Sequence, residues 1–86
     1  MSHYYKRGVV YYNIGNHGKA LSDYMQSLLL EPNRSDVYLS IGLVLKTQGR
    51  LREALMYFTK AAQLGHEHGA QYANEVYQQL AKNSLY

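Results

Sequence analysis

The chain has no cysteine, no tryptophan, one proline and one phenylalanine among its 86 residues. Without cysteine there is no disulfide, no thiolate nucleophile and no cysteine-based zinc site, and the composition fits a reducing compartment. No apolar run approaches the roughly 20 residues of a membrane span. The first residues, MSHYYKRG, lack the apolar segment of a signal peptide. The expectation is a soluble, cytoplasmic protein with no membrane partner. Charge is sparse as well: nine Lys and Arg against six Asp and Glu leave a net +3. The basic residues are scattered, with no cluster larger than the pairs Lys6–Arg7 and Arg50/Arg52, the pattern of a solvated mixed surface and not of a nucleic-acid stripe. Tyrosine is what the sequence has in excess, with ten copies. It is a large amphipathic side chain suited to surfaces that are half-buried or that bind something.

The tyrosines belong to a repeat. YYNIGNHGKALSDY at 11–24 returns thirty-four residues later as LKTQGRLREALMYF at 45–58. Gly15 matches Gly49, Ala20 matches Ala54, and Tyr24 matches Phe58. Upstream, Tyr4 matches Tyr38 and Gly8 matches Gly42. A fixed interval of this size marks one supersecondary unit used twice.

Apolar residues recur at spacings of three and four, never in strict alternation, so the units are helical. The pattern predicts helices at about 3–14, 18–30, 36–48, 52–64 and 69–82. Gly15 and Gly49 stand where a helix ends in a left-handed residue. Pro32 ends the second helix, and Asp36 or Ser35 is the expected N-cap of the third. Connections this short force antiparallel neighbours. Ala20, Leu21, Tyr24, Ser27 and Leu28 form one stripe, and Ala54, Leu55, Phe58, Ala61 and Ala62 form its counterpart. Gly8, Gly42, Ala20 and Ala54 are small where two helices come close, each opposite a larger partner.

These residues resemble the tetratricopeptide repeat, whose pattern is W-x2-L-G-x2-Y…A-x3-F…P. The first unit reads Tyr4, Arg7, Gly8, Tyr11, Ala20, Tyr24 and Pro32. The second reads Tyr38, Ile41, Gly42, Leu45, Ala54 and Phe58, with His66 in place of Pro. The resemblance covers residues 1–68 as repeats 1–34 and 35–68. It implies an all-α, right-handed array of helical hairpins with a concave groove, a role in protein–protein interaction, and no reaction. Arg7 in place of a core Leu suggests that the array begins here. Residues 69–86 do not repeat the pattern. Their single amphipathic helix, with Tyr72, Ala73, Val76, Tyr77, Leu80 and Ala81 on one face, reads as a terminal cap. Five antiparallel helices in one domain, a complete mini-array, are expected.

In the family the first helix of each unit lines the groove. Here those helices carry a second apolar stripe beside the packing one: Tyr5, Val9 and Tyr12, then Leu39 and Leu43. The stripe is either the edge of a broad core face or a Tyr-rich groove for a peptide or helix of another protein, and the groove is the preferred reading. Asn74 and Tyr77 are expected at its far wall. Some family members clamp a C-terminal carboxylate with Lys and Asn. The matching positions are Tyr5, Val9, Ser40, Ala70 and Asn74, none of them basic, so an apolar or mixed peptide fits better. Leu21, Met25 and Leu29 on the second helix form a candidate homodimer patch.

No chemistry gathers elsewhere. His66-Glu67-His68 lacks a third metal ligand in reach and reads as loop. Ser, His and Asp are present without triad spacing. Gly15-x-x-Gly18-Lys19 has the wrong spacing for a phosphate loop and no preceding strand. The reading is a non-enzymatic adaptor without metal or cofactor. A self-assembling homodimeric repeat is the first alternative, and single-stranded nucleic-acid binding through Tyr stacking ranks below it.

Overall fold

The structure is a computed structural model and describes residues 3–84. Five helices follow in order: α1 (His3–Asn13), α2 (His17–Leu30), α3 (Ser35–Thr47), α4 (Leu51–Gln63) and α5 (Gly69–Asn83). No strand occurs among the described residues. Each helix lies within one or two residues of the span its periodicity predicts.

The helix ends follow from local chemistry. Gly15 and Gly49 take φ of 83° and 79°, the left-handed region that costs glycine nothing. This turn lets Asn16 N–H reach Tyr11 O and Arg50 N–H reach Leu45 O, so carbonyls orphaned at the helix ends are satisfied. Asn16 Oδ1 then accepts from Lys19 N–H and caps α2. At α3 the expectation is corrected. Ser35 is already helical, Arg34 holds the cap position, and no side chain caps it. Asp36 lies in the first turn, where its Oδ1 accepts from Val37 N–H and its two oxygens hold Arg34. A carboxylate there is also favoured by the helix dipole.

Two hairpins, α1–α2 and α3–α4, pack on each other through α2 and α3, and α5 lies along α4. The closest approach within each hairpin is a glycine under an aromatic ring. A Cβ on Gly8 would stand 2.7 Å from Tyr24 Cε1, and one on Gly42 would stand 2.5 Å from Phe58 Cε1. Both rings are buried and cannot swing away. The cap meets α4 even more tightly. A Cβ on Gly69 would meet the backbone nitrogen of Ala62 at 2.6 Å, and Tyr72 stacks on Phe58 with centroids 5.2 Å apart.

The core sits around α3. Val37, Ile41, Val44 and Leu45 are buried together with Ala20 and Tyr24 of α2, Ala54 and Phe58 of α4, and Val76 of α5. The same offsets on α1 carry His3, Arg7 and Val10, all exposed. α3 has a hairpin on each side; α1 has only α2. Ser27 is buried at the offset where the second unit has Ala61, and its Oγ has no partner among the described residues.

Two predictions follow from this packing. Gly42→Ala, which overpacks the Phe58 contact, should cost about 1–3 kcal/mol. Gly18→Ala, in open space, should be neutral or slightly stabilising. Equal urea midpoints for the two variants would contradict the contact. Ser27→Ala removes an unpaired buried hydroxyl and should raise stability by about 1 kcal/mol; a loss on the same urea titration would show that the hydroxyl has a partner.

Candidate functional site

Two tyrosines of α1 reach across the repeat boundary to α3. Tyr5 Oη stands 3.1 Å from Ser40 Oγ, and Tyr12 Oη stands 3.3 Å from Thr47 Oγ1. Both pairs span thirty-five positions, one more than the repeat interval, so neighbouring helices meet with a shift of one residue. Ser40 Oγ also lies 2.9 Å from Asp36 O, and Thr47 Oγ1 2.9 Å from Leu43 O, each within reach to donate to it. Tyr5, Val9, Tyr12, Leu39 and Leu43 are all half-buried, with part of each side chain packed on the core. They therefore serve as the edge of the core and as a partly open apolar face at once.

The border of this face is charged and paired. Arg34 lies 5.2 Å from the Tyr5 ring centroid and is held by Glu31 and Asp36. Lys46 of α3 lies over the Tyr72 ring and 4.0 Å from Glu75 of α5. Tyr24 lies beneath Tyr5, with ring centroids 5.6 Å apart. Burial pushes its phenol up to about 12, and the neighbouring Tyr5 adds to the shift.

Tyr77 is 60% exposed and lines a shallow depression with Arg52, Leu55, Leu80, Ala81 and Ser84, on the α4–α5 surface. Asn74 is exposed on α5. No hydrogen bond or ring contact among the described residues links either to Tyr5 or Tyr12. Of the candidate dimer residues, Leu21 is half-buried against the core, whereas Met25 is 39% and Leu29 75% exposed. Their counterparts in the second unit, Leu55, Thr59 and Gln63, line a broad open depression of about 590 Å³ with Tyr38, Met56 and Tyr57. Met56 is 69% exposed there, and sequence reasoning did not single it out.

Sequence reasoning also missed Asp23. Arg7 does not simply face water: its Nε and Nη2 each donate to an Asp23 oxygen at 2.8 Å. The Asp23 carboxylate is buried and the guanidinium half-exposed. The Tyr4 and Tyr11 rings lie 5.6 and 6.0 Å from the guanidinium carbon. The signal was there in the repeat. Arg7 and Asp23 replace Ile41 and Tyr57 together, and two departures on facing helices, one of each sign, mark a pair.

The Arg7 hydrogen bonds hold the Asp23 carboxyl below the usual carboxylate range, against the opposing effect of burial. Arg34 does the same for Asp36, and Arg50 for Glu53. A carboxyl depressed in the folded state stabilises it above the unfolded pKa, about 4. That stability is lost as pH falls through the depressed value. Urea midpoints should thus be flat from neutral pH to about 5 and fall below about 4. Asp23→Asn should lower the neutral-pH midpoint and flatten the acid limb; an unaltered limb would mean the pair does not form.

The match to known proteins agrees with this architecture. The tetratricopeptide repeat model matches residues 4–34 and again residues 35–64. A TPR repeat-containing protein of Methanocaldococcus jannaschii is 32% identical over 57 residues, 66% of this chain. The match spans 10% of that protein's own length. Two consecutive helical hairpins, each closed by glycine under an aromatic ring and each matching the repeat, show that the chain belongs to the tetratricopeptide repeat family, whose repeats are protein–protein interaction modules.

Proposed function

We propose that the face formed by Tyr5, Val9, Tyr12, Leu39 and Leu43 binds a peptide or helix of another protein, and that the chain acts as a cytoplasmic adaptor without catalytic activity. One observation carries this reading. Five apolar or aromatic side chains from α1 and α3 stay half-open on one surface, with hydroxyl contacts from Tyr5 to Ser40 and from Tyr12 to Thr47 linking the two helices. A braced face loses little entropy on binding, so its aromatic anchors retain more of their contact energy. The repeats 1–34 and 35–68 supply the two rails of the face, and α5 of the 69–86 cap closes the α4 side.

A homodimer through the second layer is the alternative, favoured by the exposure of Met25 and Leu29. Light scattering over a wide concentration range separates the two readings. The proposal expects a monomer whose capture of a partner from a peptide library is lost in Tyr12→Ala/Leu43→Ala. Met25→Lys/Leu29→Lys should leave that capture intact. A dimer dissociated by Met25→Lys/Leu29→Lys, with library binding insensitive to Tyr12→Ala/Leu43→Ala, would replace the groove with a self-association surface.

A further inference from the structure

The pairing of charges in this chain is lopsided. All six Asp and Glu side chains have a basic partner within 4.0 Å: Arg7, Arg34, Lys46, Arg50 or His68. Lys6, Arg52, Lys60 and Lys82 have neither a carboxylate nor an aromatic ring beside them among the described residues. Two of these four free cations, Arg52 and Lys60, stand on α4 with Met56 midway between them. All three are exposed. Residues four apart on a helix are neighbours, so they form one outward stripe about 12 Å long. Met56 and Lys60 line the open depression of about 590 Å³, together with Tyr38, Leu55 and Tyr57. We propose that this α4 face is a second docking surface, and that it takes an acidic segment of another protein. An apolar side chain of that segment enters the depression beside Met56, and carboxylates flanking it meet Arg52 and Lys60.

The charge pattern selects the occupant. The carboxylates of α3 and α4 are already committed, Asp36 to Arg34 and Glu53 to Arg50 through paired hydrogen bonds. Neither neutralises Arg52 or Lys60. A second copy of the chain has no free Asp or Glu to offer, so the missing acid belongs to a different protein. Two cations alone hold a protein only weakly to an anionic bilayer, whereas a peptide also fills the depression. Charge complementarity of this kind steers encounter and excludes basic partners.

Stacking of the repeats does not call for these residues. At the matching positions the first unit has Gly18, Ser22 and Gln26, with neither cation nor exposed thioether. Asp23 stands where the depression has Tyr57, so the first hairpin holds a carboxylate where the second is apolar. The positions that pack the hairpins, Ala20 with Ala54 and Tyr24 with Phe58, are small or aromatic in both units. An exposed methionine is adaptable and suits a binding surface. None of Tyr5, Val9, Tyr12, Leu39 and Leu43 lines this depression, so the proposal stands apart from the groove.

The test uses the full chain and three short synthetic peptides with a central Phe. The Phe is flanked on each side by two Glu, two Gln or two Lys, and affinities are read by fluorescence anisotropy. At low salt the Glu peptide should bind about fivefold tighter than the Gln peptide, the scale of two exposed ion pairs. The Lys peptide should bind weakest. The Glu advantage should fall below about twofold near 1 M salt, where the Debye length is about 3 Å. Arg52→Gln/Lys60→Gln should abolish the advantage and leave Gln-peptide binding unchanged. Met56→Ser should weaken both peptides alike. Tyr12→Ala/Leu43→Ala should change nothing. The proposal is overturned if Glu binds no better than Gln, or if its advantage survives Arg52→Gln/Lys60→Gln. Loss of binding in Tyr12→Ala/Leu43→Ala would also overturn it, by moving the peptide to the groove. So would a dimer broken by Met56→Ser, which gives the face to a second copy. Capture by phosphatidylserine vesicles through Met56, with no peptide bound, would replace the protein partner with a membrane.

Discussion

The contact between a glycine and an aromatic ring sets the geometry of everything else. Gly8 beneath Tyr24 and Gly42 beneath Phe58 bring each pair of helices to a distance that any Cβ would forbid. Close-packed interiors do not absorb an extra methyl without displacement. With the hairpins this tight, the two buried rings have no space of their own and must extend toward the next element. Tyr24 contributes to the core around α3, and Phe58 passes the stack on to Tyr72 of the cap. The glycine is thus what turns two hairpins and a helix into one continuous core in a chain of 86 residues, where little apolar surface is available to compensate for a poor fit.

The same constraint builds the outer face. Because α2 and α3 interlock, α1 and α3 run close enough for a tyrosine hydroxyl of one to reach a serine or threonine of the other. Tyr5 and Tyr12 then do two jobs. Their rings pack on the core and stay half-exposed, and their hydroxyls reach Ser40 and Thr47 of the second repeat. A surface that is both apolar and fixed is the kind on which binding energy is not lost to ordering. The α4–α5 surface around Tyr77 and the separate α3–α4 depression around Met56 are largely apolar too, but no comparable side-chain hydrogen bond crosses either among the described residues.

Much of this was legible in the sequence because the repeat checks itself. The interval of thirty-four residues located both hairpins, and the pairing of a small residue with an aromatic at matched offsets named the closest contacts. Periodicity fixed the helix spans, and glycine chemistry fixed the ends at Gly15 and Gly49. What escaped was what the repeat does not duplicate. Ser40 and Thr47 meet Tyr5 and Tyr12 at an interval of thirty-five, so no comparison of equivalent positions finds them. Asp23 was passed over because its counterpart Tyr57 is apolar, although Arg7 opposite should have called for an acid. The α3 cap went to Arg34 because Ser35 and Asp36 are already helical, with Asp36 in the first turn holding the Arg34 guanidinium and accepting from Val37 N–H. Tyr77 was assigned by its helix face alone, which says nothing about which neighbour α5 leans on. Burial also differs between units in a way no repeat can display: Val37, Ile41 and Val44 are covered, and His3, Arg7 and Val10 at the same offsets are not.

The central claim is that two tyrosine hydroxyls lock α1 to α3 and so create a rigid face. Nuclear Overhauser contacts in tyrosine-labelled protein test it most directly. The account predicts cross-peaks from the Tyr5 ring to Ser40 and from the Tyr12 ring to the Thr47 methyl, with Tyr24 ring signals linked to Gly8. Tyr5 and Tyr12 rings that show contacts only within α1 would contradict it, and the face would then be a loose edge of the core, without the fixed arrangement that binding requires.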